Sequence, residues 1–323
     1  MLKVGVVGLG AMGQHHVRLY SQLQNTLSPA DQCQLQTQVE LVGVADSSLE
    51  RAEEIGKKYD VPYFSDYHEL ISGVEAVSIA VPTVLHYSVS MDFMNAGIPC
   101  LVEKPIASRF DQAREMVRIA GKNKVNLAIG HIERFNPAVL KLKQIIDSGS
   151  LGQILIITTR RVGPSVPRIR DVGVIIDSAT HDIGVVKYLI NRDPVCVYSK
   201  AGSLKHPKED YAIVVLDFET AAACLEVNWF TPEKVRTLVA TGSEGIAYLD
   251  YIEQKLIVHS SQSVETPEIQ KAEPLKLELE DFIKSVVNRK APAVDGQEGL
   301  EILKIALEAS TNTGYTSQLV LHR

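Results

Sequence analysis

The pattern of hydrophobic and polar positions changes about 130 residues into the chain. Before that point, short apolar runs alternate with stretches in which apolar residues recur at helical spacing. The predicted strands cover 2–7, 40–45, 76–81, 98–102 and a stretch that begins at 127–129, and the predicted helices cover 12–23, 49–59, 88–96 and 111–123. Continuous apolar strands separated by helices are typical of a parallel sheet covered on both faces. Residues 1–129 are therefore predicted to form a doubly wound α/β domain.

After residue 130, strands follow one another without helices between most of them. The predicted strands cover 153–162, 195–201, 211–218, 221–228, 235–241, 246–251 and 255–258, and a hairpin turn is expected at 219–220. The predicted helices cover 137–147, 177–190, 274–290 and 297–312. Such a succession of strands indicates a largely antiparallel sheet. Residues 130–323 are therefore predicted to form a second, α+β domain with a large, mainly antiparallel open sheet.

Composition and charge limit the classes of partner that the chain is expected to bind. The chain has 323 residues and a net charge of −6, so bulk electrostatics disfavour nucleic acid, and an anionic ligand would need a local positive cluster. No apolar stretch approaches the ~20 residues of a membrane span, so no membrane partner is expected. The cysteines are widely spaced, which suggests neither a zinc site nor a redox pair and fits the reducing cytosol. We predict a cytoplasmic protein with a small-molecule substrate.

The first predicted strand runs into a glycine-rich turn. Residues 8–13 read Gly-Leu-Gly-Ala-Met-Gly, the G-x-G-x-x-G spacing, and a predicted helix follows. In that context the motif indicates a dinucleotide site, with the pyrophosphate at the helix N-terminus. An ordinary strand–helix turn is the alternative. The residues expected to contact the cofactor here are Gly8, Gly10, Ala11, Met12 and Gly13.

Asp46 ends the second predicted strand. Its carboxylate would accept hydrogen bonds from the adenosine ribose and repel a 2′-phosphate, which favours NAD over NADP. Asp46 lies further from the glycines than the roughly 20 residues typical of the fingerprint, and the Gln-rich stretch 22–38 is interpreted as an inserted surface loop. Arg51 and the serines after Asp46 leave NADP open, and a helix N-cap is the alternative role for Asp46.

A charged pair, Glu103 and Lys104, ends the fourth predicted strand and precedes Pro105. Ligands of open α/β sheets bind at the carboxyl ends of strands, and Pro105 restricts Lys104 to an extended backbone. A lysine there can hydrogen-bond a substrate hydroxyl and stabilise the alkoxide that forms. A surface lysine at a strand exit is equally compatible with the pattern.

These motifs resemble the Gfo/Idh/MocA oxidoreductases. The resemblance includes His16 after the glycine turn, Pro82-Thr83 with His86, the run 96–105, the pair Asp177/His181 and the tail 274–300. It implies an N-terminal Rossmann domain that binds NAD, and a C-terminal domain whose open sheet commonly forms the interface of a homodimer or homotetramer. It also implies that Lys104 and His181 lie beside the nicotinamide. The further cofactor contacts implied are Pro82, Thr83, His86, Glu103 and Lys104.

A narrower resemblance lies in the middle of the chain. Segments 130–137, 160–164 and 167–174 are similar to the UDP-N-acetylglucosamine 3-dehydrogenase branch of that family, which oxidises a sugar 3-hydroxyl to a ketone. An inositol or free-sugar dehydrogenase is the alternative substrate class, and a dinucleotide-binding sensor without turnover is the alternative of another class. The substrate contacts expected are Lys104, Arg134, Asn136, Arg161, Arg168, Asp177 and His181.

Two groups in the second domain carry the expected substrate chemistry. Asp177 and His181 are four residues apart on a predicted helix, so a neutral imidazole would accept the hydroxyl proton beside an orienting carboxylate. A polar exposed helix face is the alternative; a metal site is not expected, because no third ligand is evident and this oxidation needs no metal. The arginines at 160, 161, 168 and 170 are expected to form one cluster that binds a diphosphate, with a solvated charged loop as the alternative.

Overall fold

The computed structural model describes residues 1–25, 39–164, 172–261 and 263–311. They form two compact units. The first contains Met1–His131 and Leu275–Glu301, and the second contains Ile132–Pro274 and the described part of Ile302–Arg323. In these ranges, no helix combines the length and the apolar character that crossing a membrane requires.

The first unit is built on a parallel sheet. Its described strands are β1 (Leu2–Val7), β2 (Val39–Ala45), β3 (Tyr63–Phe64), β4 (Ala76–Ile79), β5 (Cys100–Glu103) and β6 (Leu127–Gly130), in the order β3-β2-β1-β4-β5-β6. Every neighbouring pair is parallel. The strand order reverses between β1 and β4, the place where doubly wound sheets bind dinucleotides. The predicted fold class is confirmed for this part of the chain.

Helices connect these strands: α1 (Ala11–Asn25), α2 (Leu49–Tyr59), α3 (His68–Ile71), α4 (Thr83–Asn95) and α5 (Phe110–Asn123). The prediction placed the start of α4 too late, at 88. In the first turn of α4, Val84 and Leu85 are exposed whereas His86 is buried, so the apolar pattern is inverted there. β3 and α3 were not predicted because each is too short to show a period. Of the expected insertion 22–38, residues 26–38 lie outside the described part of the chain.

The chain returns to the first unit late in the sequence, through α8 (Pro274–Asn288) and the residues after it. The Asn126 amide donates to Ser285 Oγ at 2.9 Å, and the Ile129 N–H donates to the Val294 carbonyl at 3.0 Å. These long-range bonds extend the β6 edge of the sheet. The functional division into a dinucleotide-binding domain, 1–129, and a substrate-binding domain, 130–323, stays a prediction.

The second unit is built on a larger sheet. Its described strands are β7 (Ile154–Pro164), β8 (Cys196–Gly202), β9 (Tyr211–Asp217), β10 (Ala222–Asn228), β11 (Phe230–Gly242), β12 (Gly245–Asp250), β13 (Lys255–Ser260) and β14 (Val264–Glu265). The order is β14-β13-β12-β11-β7-β10-β9-β8, and among these strands only β7 and β10 pair in parallel. The mainly antiparallel sheet is confirmed. The predicted hairpin joins β9 and β10, with Glu219 at φ 65°.

One face of this sheet carries the core of the second unit. Side chains of α6 (Pro137–Asp147), α7 (Thr180–Ile190) and the part of α9 (Gly296–Thr311) beyond residue 301 pack against it. Side chains along a strand alternate between faces, so Val214 and Leu216 are buried whereas Ile213 is exposed. The opposite face leaves large apolar side chains exposed, among them Ile156, Tyr198, Ile213 and Tyr248.

Candidate active site

The glycine turn has a shape that suits a pyrophosphate. Gly8 adopts φ +87°, and a Cβ there would lie 2.7 Å from the backbone of Ala80, so only glycine fits where β1 approaches the end of β4. A Cβ on Gly13 would collide with the Gly8 carbonyl oxygen, which shows how closely α1 packs on the turn. In contrast, the space in front of Gly10 is open. The N-terminus of α1, at Ala11 and Met12, adds the positive end of the helix dipole.

Asp46 is held by that turn. Its Oδ2 accepts a hydrogen bond from the Leu9 N–H at 2.7 Å, and its Oδ1 accepts one from the Ser48 N–H at 2.9 Å. The N-cap of α2 is Ser48, whose Oγ accepts from the Arg51 N–H, so Asp46 is not the helix cap. Each carboxylate oxygen keeps a second lone pair that could accept from a ribose hydroxyl.

A buried ion pair lies directly before Lys104. Nε2 of His16, on α1, is 2.9 Å from Oε1 of Glu103, at the end of β5, and the His16 side chain is fully buried. Burial alone would raise the pKa of Glu103, but the hydrogen bond from His16 and the charges of His16 and Lys104 outweigh it and lower that pKa. A Cβ on Gly130 would lie 3.1 Å from the Glu103 carboxylate, so glycine on β6 makes room for the pair. Sequence reasoning missed this pair, because the two residues are 87 positions apart.

His86 ties the segment after Lys104 to the end of β4. Its Nδ1 lies 2.8 Å from the Pro105 carbonyl oxygen, and its Nε2 lies 3.0 Å from the Val81 carbonyl oxygen. Burial lowers the pKa of His86, so the neutral ring donates to one of these carbonyls at pH 7. Pro82 and Thr83 lie beside it, at the start of α4. His86 is thus placed to support the backbone around Lys104, and its predicted cofactor contact stays a prediction.

A second buried carboxyl group belongs to the same unit. Glu278, on α8, is 2% exposed, and neither of its carboxyl oxygens has a hydrogen-bond partner among the described residues. Burial and then the negative charges of Glu103 and Asp281 raise the pKa of Glu278 well above its usual value. The Glu278 carboxyl group therefore keeps its proton to a higher pH than an exposed glutamate does. Nothing in the local pattern of α8 distinguishes it from an exposed glutamate.

His181 lies in the first turn of α7, and Asp177 lies in a π-helical turn, Ile175–Ala179, directly before it. The helix is wider there than the regular α-helix that the sequence predicts, and π turns recur at functional sites. Asp177 Oδ2 accepts from Ser178 Oγ at 3.1 Å, and Ser178 Oγ accepts from Trp229 Nε1 at 3.3 Å. These hydrogen bonds link the Asp177 carboxylate, through Ser178, to Trp229, the residue that follows β10.

The predicted arginine cluster is not one cluster. Arg160 and Arg161 are neighbours on β7, so their side chains point to opposite faces of the sheet. Arg161 is buried, and it donates to both carboxylate oxygens of Asp182 at 3.0 Å and to Glu133 Oε1 at 2.9 Å. Arg160 is half exposed and pairs with Glu226 at 3.0 Å. The expectation of a single group was wrong because it ignored strand alternation; Arg168 and Arg170 lie outside the described residues.

Two further predicted substrate residues have local structural contacts. The Arg134 guanidinium lies over the Tyr188 ring, 3.1 Å from its centroid. Asn136 caps α6, since its Oδ1 accepts from the Ala138 N–H at 3.1 Å, and its Nδ2 donates to the Tyr251 carbonyl at 3.1 Å. The Asn-Pro pair at a helix start is itself the signal for this cap. Substrate contacts of Arg134, Asn136 and Arg161 stay predictions.

Two family models match the chain in succession. Residues 2–131 match the model described as an oxidoreductase family with an NAD-binding Rossmann fold, and residues 139–248 match the C-terminal domain of the same family. The chain belongs to the Gfo/Idh/MocA oxidoreductase family. As a member of that family it is an NAD-binding protein, and the glycine turn described above is the part that fits the cofactor.

Proteins similar to this chain include dehydrogenases of several kinds. The chain is 27% identical to a UDP-N-acetylglucosamine 3-dehydrogenase of Acidithiobacillus ferrooxidans, over 95% of this chain and 96% of that protein. The solved structure of that enzyme matches with a TM-score of 0.86 over 96% of this chain and 97% of that chain. An inositol 2-dehydrogenase of Salmonella typhimurium is 32% identical over 67% of this chain and 63% of the relative. A levoglucosan dehydrogenase in complex with NADH and levoglucosan shares the fold, with a TM-score of 0.86 over 97% of each chain at 18% identity.

Proposed function

We propose that this protein is an NAD-dependent dehydrogenase that oxidises a sugar hydroxyl to a ketone, and that its substrate is UDP-N-acetylglucosamine, oxidised at the 3-hydroxyl. The observation that carries the reaction type is the placement of Lys104. This residue leaves β5 at the sheet edge where β1 enters the glycine turn, directly after the buried Glu103–His16 pair. The choice of substrate is supported by the similarity to the Acidithiobacillus enzyme, which extends over both units.

Lys104, His181 and Asp177 each have a role in the proposed reaction. The glycine turn at Gly8–Gly13 would hold NAD+, which would supply the acceptor for the hydride of the sugar carbon. The Lys104 ammonium polarises the hydroxyl oxygen, and His181, as a neutral imidazole, accepts the hydroxyl proton. Asp177 orients that imidazole or holds a neighbouring hydroxyl. The two proton roles can also be exchanged between Lys104 and His181.

The cofactor preference follows from Asp46. Its carboxylate is fixed by the backbone of Leu9 and Ser48, so it cannot turn away from a cofactor in the glycine turn without losing both hydrogen bonds. A negative charge at that place repels a 2′-phosphate. We therefore propose NAD rather than NADP as the cofactor used in turnover.

Inositol or another free polyol is the second candidate substrate. The inositol 2-dehydrogenase relative has the higher identity, although over a smaller part of the chain. We also propose that the open face of the larger sheet joins copies of the chain into a homodimer or homotetramer, supported by its exposed apolar side chains.

The test combines product analysis with two variants. UDP-N-acetylglucosamine, UDP-glucose, N-acetylglucosamine and myo-inositol are each incubated with NAD+, absorbance at 340 nm is followed, and the product is identified by mass spectrometry. We expect a 3-keto nucleotide sugar from UDP-N-acetylglucosamine.

The variants test the residue roles. Lys104→Met and His181→Ala should lower turnover far more than they weaken NAD+ binding. Lys122→Met, which replaces an exposed lysine of α5, should change neither turnover nor NAD+ binding. If inositol is oxidised and UDP-N-acetylglucosamine is not, the proposed substrate is rejected. If NAD+ binds but none of the four compounds is oxidised, the proposed enzymatic activity is rejected.

A further inference from the structure

The second unit assembles a positive cluster that the sequence does not suggest. Arg236, on β11, pairs across the sheet with Arg161, on β7, so both side chains lie on the helix-covered face. Lys234 is two residues before Arg236, and the charges of Arg236, Glu133 and Arg161 act on it. These residues are about 70 positions from Arg161 along the chain, and the antiparallel pairing alone brings them together.

Two carboxylates, Asp182 and Glu133, contact the arginines of this cluster. Asp182 accepts from Nε and Nη2 along one edge of the Arg161 guanidinium. Glu133 accepts from Arg161 at 2.9 Å and lies 3.6 Å from Arg236 Nη1. Arg161 and Arg236 therefore share Glu133, while Asp182 is engaged by Arg161.

The two outer cations are accessible. The Arg236 side chain is 32% exposed, compared with 4% for Arg161, and Lys234 is exposed. The pKa of Lys234 is lowered chiefly by the charge of Arg236, and that of Arg236 by burial and by the charge of Arg161, which is the mark of crowded cations. An anion placed between them would relieve this repulsion.

The backbone leaves space beside Lys234. The pairing of β11 with β7 is interrupted between Phe230 and Val235, so Lys234 lies in an irregular part of the strand. Its neighbour across the sheet is Gly163, and the atoms nearest to a Cβ built there would be those of Lys234, at 3.7–3.9 Å. Irregularities of this kind commonly re-aim a side chain next to an active site.

This cluster also lies within electrostatic reach of the proposed catalytic segment. The charge of Asp177 acts on Arg236, so an anion bound by Arg236 would lie near the residue proposed to hold the sugar. We propose that Lys234 and Arg236 bind the diphosphate of a nucleotide-sugar substrate, the role that the sequence pattern predicts for the arginines at 160, 161, 168 and 170. The inference rests on the proposed function, because it takes the substrate to be a nucleoside diphosphate sugar.

The test measures anion binding by calorimetry with NAD+ at saturating concentration, so that the glycine turn is occupied. UDP, inorganic diphosphate and uridine are titrated into the wild type, Lys234→Met, Arg236→Met and Lys255→Met, an exposed lysine of β13. We expect each of the first two variants to lose about tenfold in affinity for UDP and for diphosphate, the usual effect of one charged hydrogen bond. The uridine affinity and the Lys255→Met variant should be unchanged, and Arg236→Lys should recover part of the loss.

The outcomes separate this inference from the proposed function. UDP binding that is equal in the wild type, Lys234→Met and Arg236→Met overturns the diphosphate site and leaves the dehydrogenase proposal standing. Diphosphate binding that depends on Lys234, together with no oxidation of UDP-N-acetylglucosamine, supports the site and rejects that substrate. If no diphosphate compound binds the wild type, the site is overturned. Because Lys234 is exposed, its variant tests the site even if Arg236→Met fails to fold.

Discussion

Replacing Arg161 by methionine tests the buried ion network of the second unit. The substitution keeps a long apolar stem but removes the guanidinium, so Asp182, whose side chain is 1% exposed, and Glu133, at 10%, lose their main partner. Breaking a buried pair in this way costs about 3–5 kcal/mol, because a charge is left in the interior without compensation. We expect Arg161→Met to lower the free energy of unfolding of this unit by that amount.

The matched control is the preceding residue. Arg160→Met removes the same group from the opposite face, where Arg160 and Glu226 are 50% and 41% exposed, and such surface pairs contribute about 0–1 kcal/mol. The protein has a single tryptophan, Trp229, which belongs to the second unit, so urea unfolding followed by its fluorescence reports on that unit. The double variant Arg161→Met/Asp182→Leu should recover part of the loss, since one buried charge is removed with its partner.

Equal destabilisation by Arg161→Met and Arg160→Met would refute this reasoning. It would mean that the two arginines do not occupy different environments, and hence that the register of β7 differs from the one described. A double variant that is less stable than Arg161→Met would contradict the electrostatic origin of the effect.

Two further predictions concern other parts of the molecule. Buried Glu278 keeps its proton in the folded state at pH values where the unfolded chain has released it, so this residue lowers stability as pH rises above about 4.3. Glu278→Gln should therefore gain thermal stability over the wild type between pH 5 and pH 8, measured by circular dichroism; a difference that is the same at every pH would contradict the raised pKa. Ile213→Lys, on the open sheet face, should lower the mass seen in sedimentation velocity, and an unchanged mass would reject that face as the interface between copies.

Local pattern was sufficient for much of this molecule. Strand and helix periods predicted β1, α2 and α6 as they are observed, and the order of elements predicted a parallel sheet followed by a mainly antiparallel one. The glycine turn could also be read from the sequence, because Gly8 and Gly13 are required by contacts with the neighbouring strand or within a few residues. These features depend on interactions that are short in sequence or repeat along one strand.

The charged interior could not be read in the same way. The His16–Glu103 pair and the Arg161–Asp182–Glu133 network join segments that are distant in sequence. The raised pKa of Glu278 depends on burial that only packing creates. Arg160 and Arg161 are adjacent in sequence but do not meet in the structure, because adjacent residues of a strand face opposite sides of a sheet. Local periodicity specifies which elements form, and the way those elements pack decides which charges meet.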